Sequence, residues 1–306
     1  MRLVVPDLIS NSYFPVIAAA DLGFFARAGL EMEVELLFPV SAAYEALRNG
    51  QVDFVGGSAH SVLAAFPEFR GARLLAAQAQ GMYWFLVMSK ELKARRGNLE
   101  CVKGRTIGAA PWVEMGLRAL LTSAGIDLIA DQVKIIPVPG AKGAGVNFGV
   151  TAARALEEGL IDGFWANGMG AEVAVRRGAG TVVLDVRRGD GPDGCFDFTF
   201  SALATSQRLI DENPRAAAAA VHALVATQVA LAVDPVLATQ VGHKRFPAEE
   251  AGLIAELILR DVPYYDASIT RRSIDGMCAF ARSLGLLKSE PRYEDIVATE
   301  CARFWD

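Results

Sequence analysis

The sequence predicts an α/β protein of two Rossmann-like lobes joined by two crossover strands, with extra C-terminal helices on lobe one. Three observations predict it. First, a phrase recurs: Ala46-Leu47-Arg48-Asn49-Gly50-Gln51-Val52-Asp53 is echoed 109 residues later by Ala155-Leu156-Glu157-Glu158-Gly159-Leu160-Ile161-Asp162. Each copy reads as the last turn of a helix, a glycine able to take positive φ, and the start of a buried strand. Second, strand and helix patterns alternate around both copies, as in a parallel sheet with helical crossovers. Third, from about Leu203 the alternation gives way to helices alone, and such helices need a sheet to cover.

The elements follow in order. Leu3–Pro6 is a first strand, and Ser10-Asn11-Ser12-Tyr13-Phe14-Pro15 is a polar-aromatic loop. A helix runs to about Arg27, with Pro15 in its first turn, where a missing N–H costs nothing, and Ala28-Gly29-Leu30 as its stop. Glu31–Leu37 is a strand, and Phe38-Pro39-Val40-Ser41 leads into the next helix with Ser41 as its N-cap. Val52–Val55 is the third strand, and a helix starts at Ser58. After Arg73–Gln80 and a first crossing near Gln80–Leu86 the pattern restarts. Thr106–Ala110 and Val133–Val138 are strands, with a helix from Pro111-Trp112 to about Ala124 between them. A glycine-rich loop, Gly140–Gly145, precedes a helix to Glu158, then come the echoed strand Ile161–Trp165, a helix and the strand Thr181–Val186. Beyond a second crossing near Gly189–Ala202 lie helices at Pro214–Ala232, Ala248–Leu259, Ser268–Leu284 and Glu294–Phe304. Lobe one has room for them, so the chain leaves it, builds lobe two and returns. The expected divisions are 1–84, 85–190 and 191–306.

Composition narrows the function. The chain has 306 residues, 52% hydrophobic and 21% charged, which is enough for a substantial core and excludes disorder. Its apolar runs are short and broken, which argues against membrane insertion. A net charge of −5 without a Lys/Arg stripe argues against nucleic acid as a partner. Cys101, Cys195, Cys278 and Cys301 lack metal-ligand spacing and read as buried or half-buried thiols. No cofactor or metal is expected. In Gly140–Gly145 the lysine precedes the last glycine and no hydroxyl follows, so a strand-to-helix loop is favoured over a phosphate cradle. Arg187-Arg188-Gly189-Asp190 reads as a solvated charged loop.

Two stretches and the echo carry a family resemblance. Tyr13-Phe14-Pro15-Val16-Ile17-Ala18-Ala19-Ala20-Asp21-Leu22-Gly23-Phe24-Phe25 with Ala28-Gly29-Leu30, and Glu45-Ala46-Leu47 with Gly50 and Val52-Asp53-Phe54, resemble the type II periplasmic-binding-protein group that serves nitrate, sulfonate and taurine ABC transporters. Thiamine-pyrimidine-synthase-like proteins are its relatives. The resemblance runs in order over nearly the whole chain. It implies a solute-binding protein that captures a small organic, anionic or aromatic ligand in an interlobe cleft, closes about the crossings, and presents the ligand to an ABC permease as a monomer.

In open α/β sheets the loops after strand ends bind ligands, and helix N-termini there favour anions. Asn11, Ser12 and Tyr13 precede the first helix, Gly57, Ser58 and His60 the third, and Phe38 and Ser41 the second. Trp112 and Glu114 hold the equivalent place in lobe two, with Trp165 and Asn167 at the echoed strand's end. Gln80, Tyr83 and Trp84 lie at the first crossing, where rings can stack on a flat ligand or pack the hinge. Ser58 serves equally as a helix cap, and His60 as a backbone-satisfied core imidazole.

The competing expectation is a cytoplasmic enzyme on the same fold: a decarboxylase, a lyase or a relative of the thiamine-precursor synthases. The synthase pattern is incomplete here, because there is no cysteine run and lobe one has no lysine before Lys90. Compartment follows the start of the chain: periplasmic if an export signal once preceded Met1, cytoplasmic if Met1 is the native start.

Overall fold

The computed structural model describes residues 1–143 and 145–305, and the chain divides into two compact units, Met1–Gly81 with Asp197–Asp306 and Met82–Phe196. Ala144 of the glycine-rich loop lies outside the described residues. The strands are β1 (Arg2–Val5), β2 (Glu33–Leu36), β3 (Phe54–Ser58), β4 (Ala72–Ala79), β5 (Phe85–Ser89), β6 (Thr106–Ala109), β7 (Lys134–Ile136), β8 (Gly163–Ala166), β9 (Gly180–Asp185) and β10 (Ser201–Ser206). The helices are α1 (Phe14–Asp21), α2 (Phe24–Arg27), α3 (Val40–Arg48), α4 (Glu114–Ser123), α5 (Phe148–Glu157), α6 (Gly168–Arg176), α7 (Gln207–Glu212), α8 (Pro214–Val233), α9 (Leu237–Arg245), α10 (Ala248–Asp261), α11 (Arg271–Ser283) and α12 (Tyr293–Ile296).

Each unit holds one five-stranded sheet, ordered β2-β1-β3-β10-β4 in the first and β7-β6-β8-β5-β9 in the second. The two orders are the same pattern. β1 and β6 run parallel to both neighbours, while β10 and β5 are antiparallel to theirs. In each sheet the antiparallel member is the first strand the chain forms after crossing over from the other unit. β10 is an element the sequence pattern did not disclose, and it lies inside its sheet with five of its six residues buried.

The echoed phrase has one local structure twice. After α3, Asn49 caps with φ −78° and ψ −2°, Gly50 takes φ +70°, and the Gln51 amide returns to the Ala46 carbonyl at 2.9 Å. After α5, Glu158 has φ −78° and ψ −2°, Gly159 takes φ +69°, and the Leu160 amide returns to the Ala155 carbonyl at 2.9 Å. The left-handed glycine satisfies the last helical carbonyls and turns the chain toward the sheet. The aspartate then makes the next link. Asp53 Oδ2 accepts the Arg2 amide at 2.8 Å, and Asp162 Oδ2 accepts the Thr106 amide at 2.8 Å. Each carboxylate thus ties its own strand to the first residue of the adjacent parallel strand, β1 or β6.

Several expected elements shift, each for a local reason. The first helix breaks at Gly23, which is left-handed at φ +76°, so α1 and α2 are separate. Ser41 is the second residue of α3 and not its cap, since Pro39 holds the cap position. The expected helix at Ser58 is a 3-10 stretch, Ala59–Ala64. α4 starts at Glu114 because Trp112, at φ +71°, is not helical. α9 went unforeseen. The single helix expected at Glu294–Phe304 is α12 plus a 3-10 turn, Thr299–Phe304, because Val297 bridges to Leu74 and the Ala298 amide donates to the Leu74 carbonyl at 2.9 Å. α8, with 20 residues and mean hydropathy 1.8, is long and apolar enough to cross a membrane, contrary to the reading of short broken runs, and half of its apolar window is buried. It packs in unit one on α1, α2 and β4.

The anchoring role of the aspartates is testable. Asp53→Ala and Asp162→Ala should each lower stability by about 1 kcal/mol in urea unfolding, the worth of one lost hydrogen bond. Asp→Asn at the same positions should retain most of the stability, because its carbonyl oxygen still accepts.

Candidate functional site

In unit one a buried polar set gathers where β1 and β3 end and β10 begins. The loop after β1 is shaped by short turns: the Ile9 amide donates to Asp7 Oδ1 at 3.0 Å and the Ser12 amide to Ser10 Oγ at 3.1 Å. Asn11 donates from Nδ2 to Asp261 at the end of α10. Ser201 Oγ donates to the Ser12 carbonyl at 2.8 Å, joining that loop to the start of β10. At the end of β3, Ser58 Oγ and Ser61 Oγ are 2.5 Å apart, so the Ser58 hydroxyl engages a side chain rather than capping the 3-10 turn. His60 Nδ1 lies 2.9 Å from Thr199 Oγ1 and its Nε2 3.4 Å from Ser61 Oγ, while Phe280 packs edge-on at 5.4 Å. Ser12, Ser58, His60, Ser61 and Ser201 are all fully buried.

The other residues expected in this unit divide. Tyr13 is buried at the start of α1. Phe38, between β2 and α3, and Ser41, in the first turn of α3, are half-buried next to the edge strand β2. Gly57 has a packing role, since a Cβ there would come 3.1 Å from the Tyr44 hydroxyl, which donates to the Ser58 carbonyl at 3.1 Å. Gln80 Nε2 donates to the Asp266 and Ser268 carbonyls at 2.8 and 2.7 Å, stitching that segment to the end of β4.

Unit two gathers aromatic rings. Trp84 packs 4.7 Å from Tyr83 and 6.1 Å from Trp165, centroid to centroid, and all three are buried. Trp84 reaches α4 through Gly116, where a Cβ would sit 3.2 Å from the indole. Trp165 Nε1 donates to the Val113 carbonyl at 3.2 Å, which draws the strand-end turn carrying Trp112 and Glu114 toward the rings. Asn167 caps α6 by accepting the Gly170 amide at 3.1 Å. Glu114 Oε2 is buried with no hydrogen-bond partner, and burial holds the carboxyl above the usual range.

Arg187 departs from the expected solvated loop. It is 8% exposed, and its guanidinium stands 5.5 Å over the Tyr83 ring, a cation–π arrangement that adds a buried positive charge to the aromatic set. Ser61, Gln78, Thr199 and Ser201 were also missed. Ser61 follows His60 directly, but Thr199 and Ser201 join the set only through the unforeseen strand β10. Elsewhere, burial raises the thiols of Cys278 and Cys301 to about 11, which leaves them unreactive as thiolates. Among the described residues no three His, Cys, Asp or Glu side chains group as a metal would need.

The fold with two sheets of this order is that of the type II periplasmic-binding proteins. The family model described as "NMT1/THI5 like" matches residues 10–236, and the chain belongs to that family. Among curated proteins, none matches. A structure from Bordetella bronchiseptica RB50 is similar over 99% of this chain and 95% of its own, at 21% identity and TM-score 0.74. The periplasmic nitrate-binding protein NrtA from Synechocystis PCC 6803 matches 99% of this chain and 86% of its own, at 14% identity and TM-score 0.72. The desulfurization enzyme DszB matches 99% of this chain and 97% of its own, at 15% identity and TM-score 0.64.

The Glu114 carboxyl yields a pH prediction. Its folded pKa is raised, so ionising it costs stability in the folded state; the cost is absent below the unfolded pKa, grows as pH rises between the unfolded and folded values, and is fully present above the folded value. Glu114→Gln should therefore raise the Tm at about pH 8, and the gain should vanish near pH 4. A gain that is equal at both pH values would refute the buried-carboxyl account.

Proposed function

We propose that this chain is a solute-binding protein that captures a small organic ligand and delivers it to an ABC importer. The observation that carries the reading is the buried polar set at the ends of β1 and β3, on a chain of the NMT1/THI5-like family. Ser12, Ser58 and His60 stand where α/β sheets bind ligands, and Asn11 and Tyr13 frame them. In unit two, Tyr83, Trp84 and Trp165 supply flat apolar surface, with Arg187, Glu114 and Asn167 as polar neighbours. Phe38 and Ser41 are peripheral in this reading, and Gly57 and Gln80 act through packing. The partner that follows is an ABC permease, with the chain acting as a monomer and needing no cofactor. The nitrate-binding protein of the same fold supports this reading; DszB, an enzyme of the same fold, makes turnover the alternative outcome.

Native mass spectrometry of the purified protein tests it. An unaltered small molecule that co-purifies and raises the Tm when added back supports solute binding, whereas conversion of that molecule to a product supports an enzyme. Trp84→Leu should weaken binding of the recovered molecule about tenfold while the circular dichroism spectrum stays unchanged. Undiminished affinity would remove the aromatic set from the site.

A further inference from the structure

Besides Glu250 Oε2 in α10, the buried Ser12 Oγ and Gln78 Oε1 of unit one lack hydrogen-bond partners among the described residues. The Ser12 and Gln78 side chains are fully buried. An unmade hydrogen bond on a buried group costs about 1–3 kcal/mol, so such atoms call for an occupant. The Gln78 amide cannot simply be reversed, because its Nε2 donates to the Ala202 carbonyl at 3.0 Å. The unpartnered atom is therefore an acceptor, and it needs a donor.

The two atoms belong to one corner of the sheet. A Cβ on Gly56 would stand 3.0 Å from Val16 of α1 and 3.2 Å from Gln78 Nε2, so Gln78 reaches the face that α1 covers. Ser12 lies just before α1, and its carbonyl accepts from Ser201 Oγ. Ser201 is in register with Ser58 on one side and with Ala79, the neighbour of Gln78, on the other. A β-bulge between Ser201 and Ala202 leaves Gln78 as the extra residue.

The two atoms ask for complementary partners. The start of α1 favours an acceptor on an incoming group, whereas Gln78 Oε1 demands a donor. A fully ionised oxyanion offers oxygen lone pairs only.

We propose that Ser12 and Gln78 form a specificity subsite that selects ligands whose polar head carries an N–H or O–H beside an acceptor, such as a primary amide, sulfonamide or hydroxyl, over ionised oxyanions. Gln78 Oε1 accepts the ligand hydrogen, and the Ser12 hydroxyl donates to the ligand oxygen. A site built to pair a donor discriminates strongly against analogues that lack it. The inference rests on the solute-binding reading and assigns that site its ligand chemistry.

Calorimetric titration with two matched pairs, benzenesulfonamide against benzenesulfonate and benzamide against benzoate, tests it. The wild-type chain should bind the amide member of each pair at least tenfold more tightly. Gln78→Met should bring the pair to within about threefold, and Ser12→Ala, which leaves the backbone bond to Ser201 intact, should weaken the amide member about fivefold. If Gln78→Met does not fold, the Ser12→Ala result decides. Equal or tighter binding of the ionised members overturns the subsite while solute binding stands. So does an unchanged preference in a folded Gln78→Met variant that merely loses Tm, the result expected if a resident water satisfies both atoms. If no probe binds, the subsite falls, and the native mass spectrum separately decides whether solute binding stands.

Discussion

A carboxylate that holds the first amide of a neighbouring strand organises each unit. Asp53 grips Arg2 and Asp162 grips Thr106, both at 2.8 Å, immediately after a left-handed glycine has ended the preceding helix. The pair of constraints sets where the central strands β3 and β8 start relative to β1 and β6. Once the starts are aligned, the far ends of those strands are aligned too, because a parallel pair advances at a common rise per residue. The loops that follow are thereby placed at the strand ends of each sheet, Ser10–Tyr13 and Ser58–Ser61 in one unit and Trp112–Glu114 and Asn167 in the other. The echo is therefore a piece of scaffold, and the candidate sites are its consequence.

The two sites differ in chemistry although their scaffolds match. Unit one closes its strand ends with hydroxyls, an imidazole and amides, tied by hydrogen bonds that run from Ser58 through Ser61 to His60 and Thr199. A connected polar network of this kind fixes the directions of its members in a low-dielectric interior, where each unsatisfied atom is costly. Unit two uses tilted rings with one buried guanidinium. In the proposed reading, hydrogen-bond direction sets selectivity in the first and contact area sets affinity in the second.

The antiparallel strands account for what sequence reasoning missed in the sites. Ser201 comes within 2.8 Å of Ser12 across 189 positions, and Thr199 within 2.9 Å of His60 across 139. Periodicity reports which residues share a face of one element, not which distant strand will slide between two others. Ser201–Ser206 is short and rich in small residues, so it carries little strand signal of its own. Arg187 was misread for a related reason. A charged residue beside other charges reads as solvated, and only the Tyr83 ring beneath it explains its burial.

By itself, the sequence determined the order of most strands and helices, β10 and α9 excepted, with the glycine stops, the duplicated helix-to-strand turn and the loops at strand ends, because all of these follow from local backbone preference and from periodic burial. Residues such as Ser12, Ser58, His60, Trp84 and Trp165 were identifiable on those grounds. Tertiary structure alone decided that β10 and β5 insert antiparallel, that Ser41 lies inside a helix, that Gly57 faces Tyr44 and Gln80 donates to two backbone carbonyls, and that Gln78 and Arg187 are buried at the strand ends. Those outcomes depend on contacts between segments far apart in the chain, whose free energies are set by burial and pairing that no single window of residues contains.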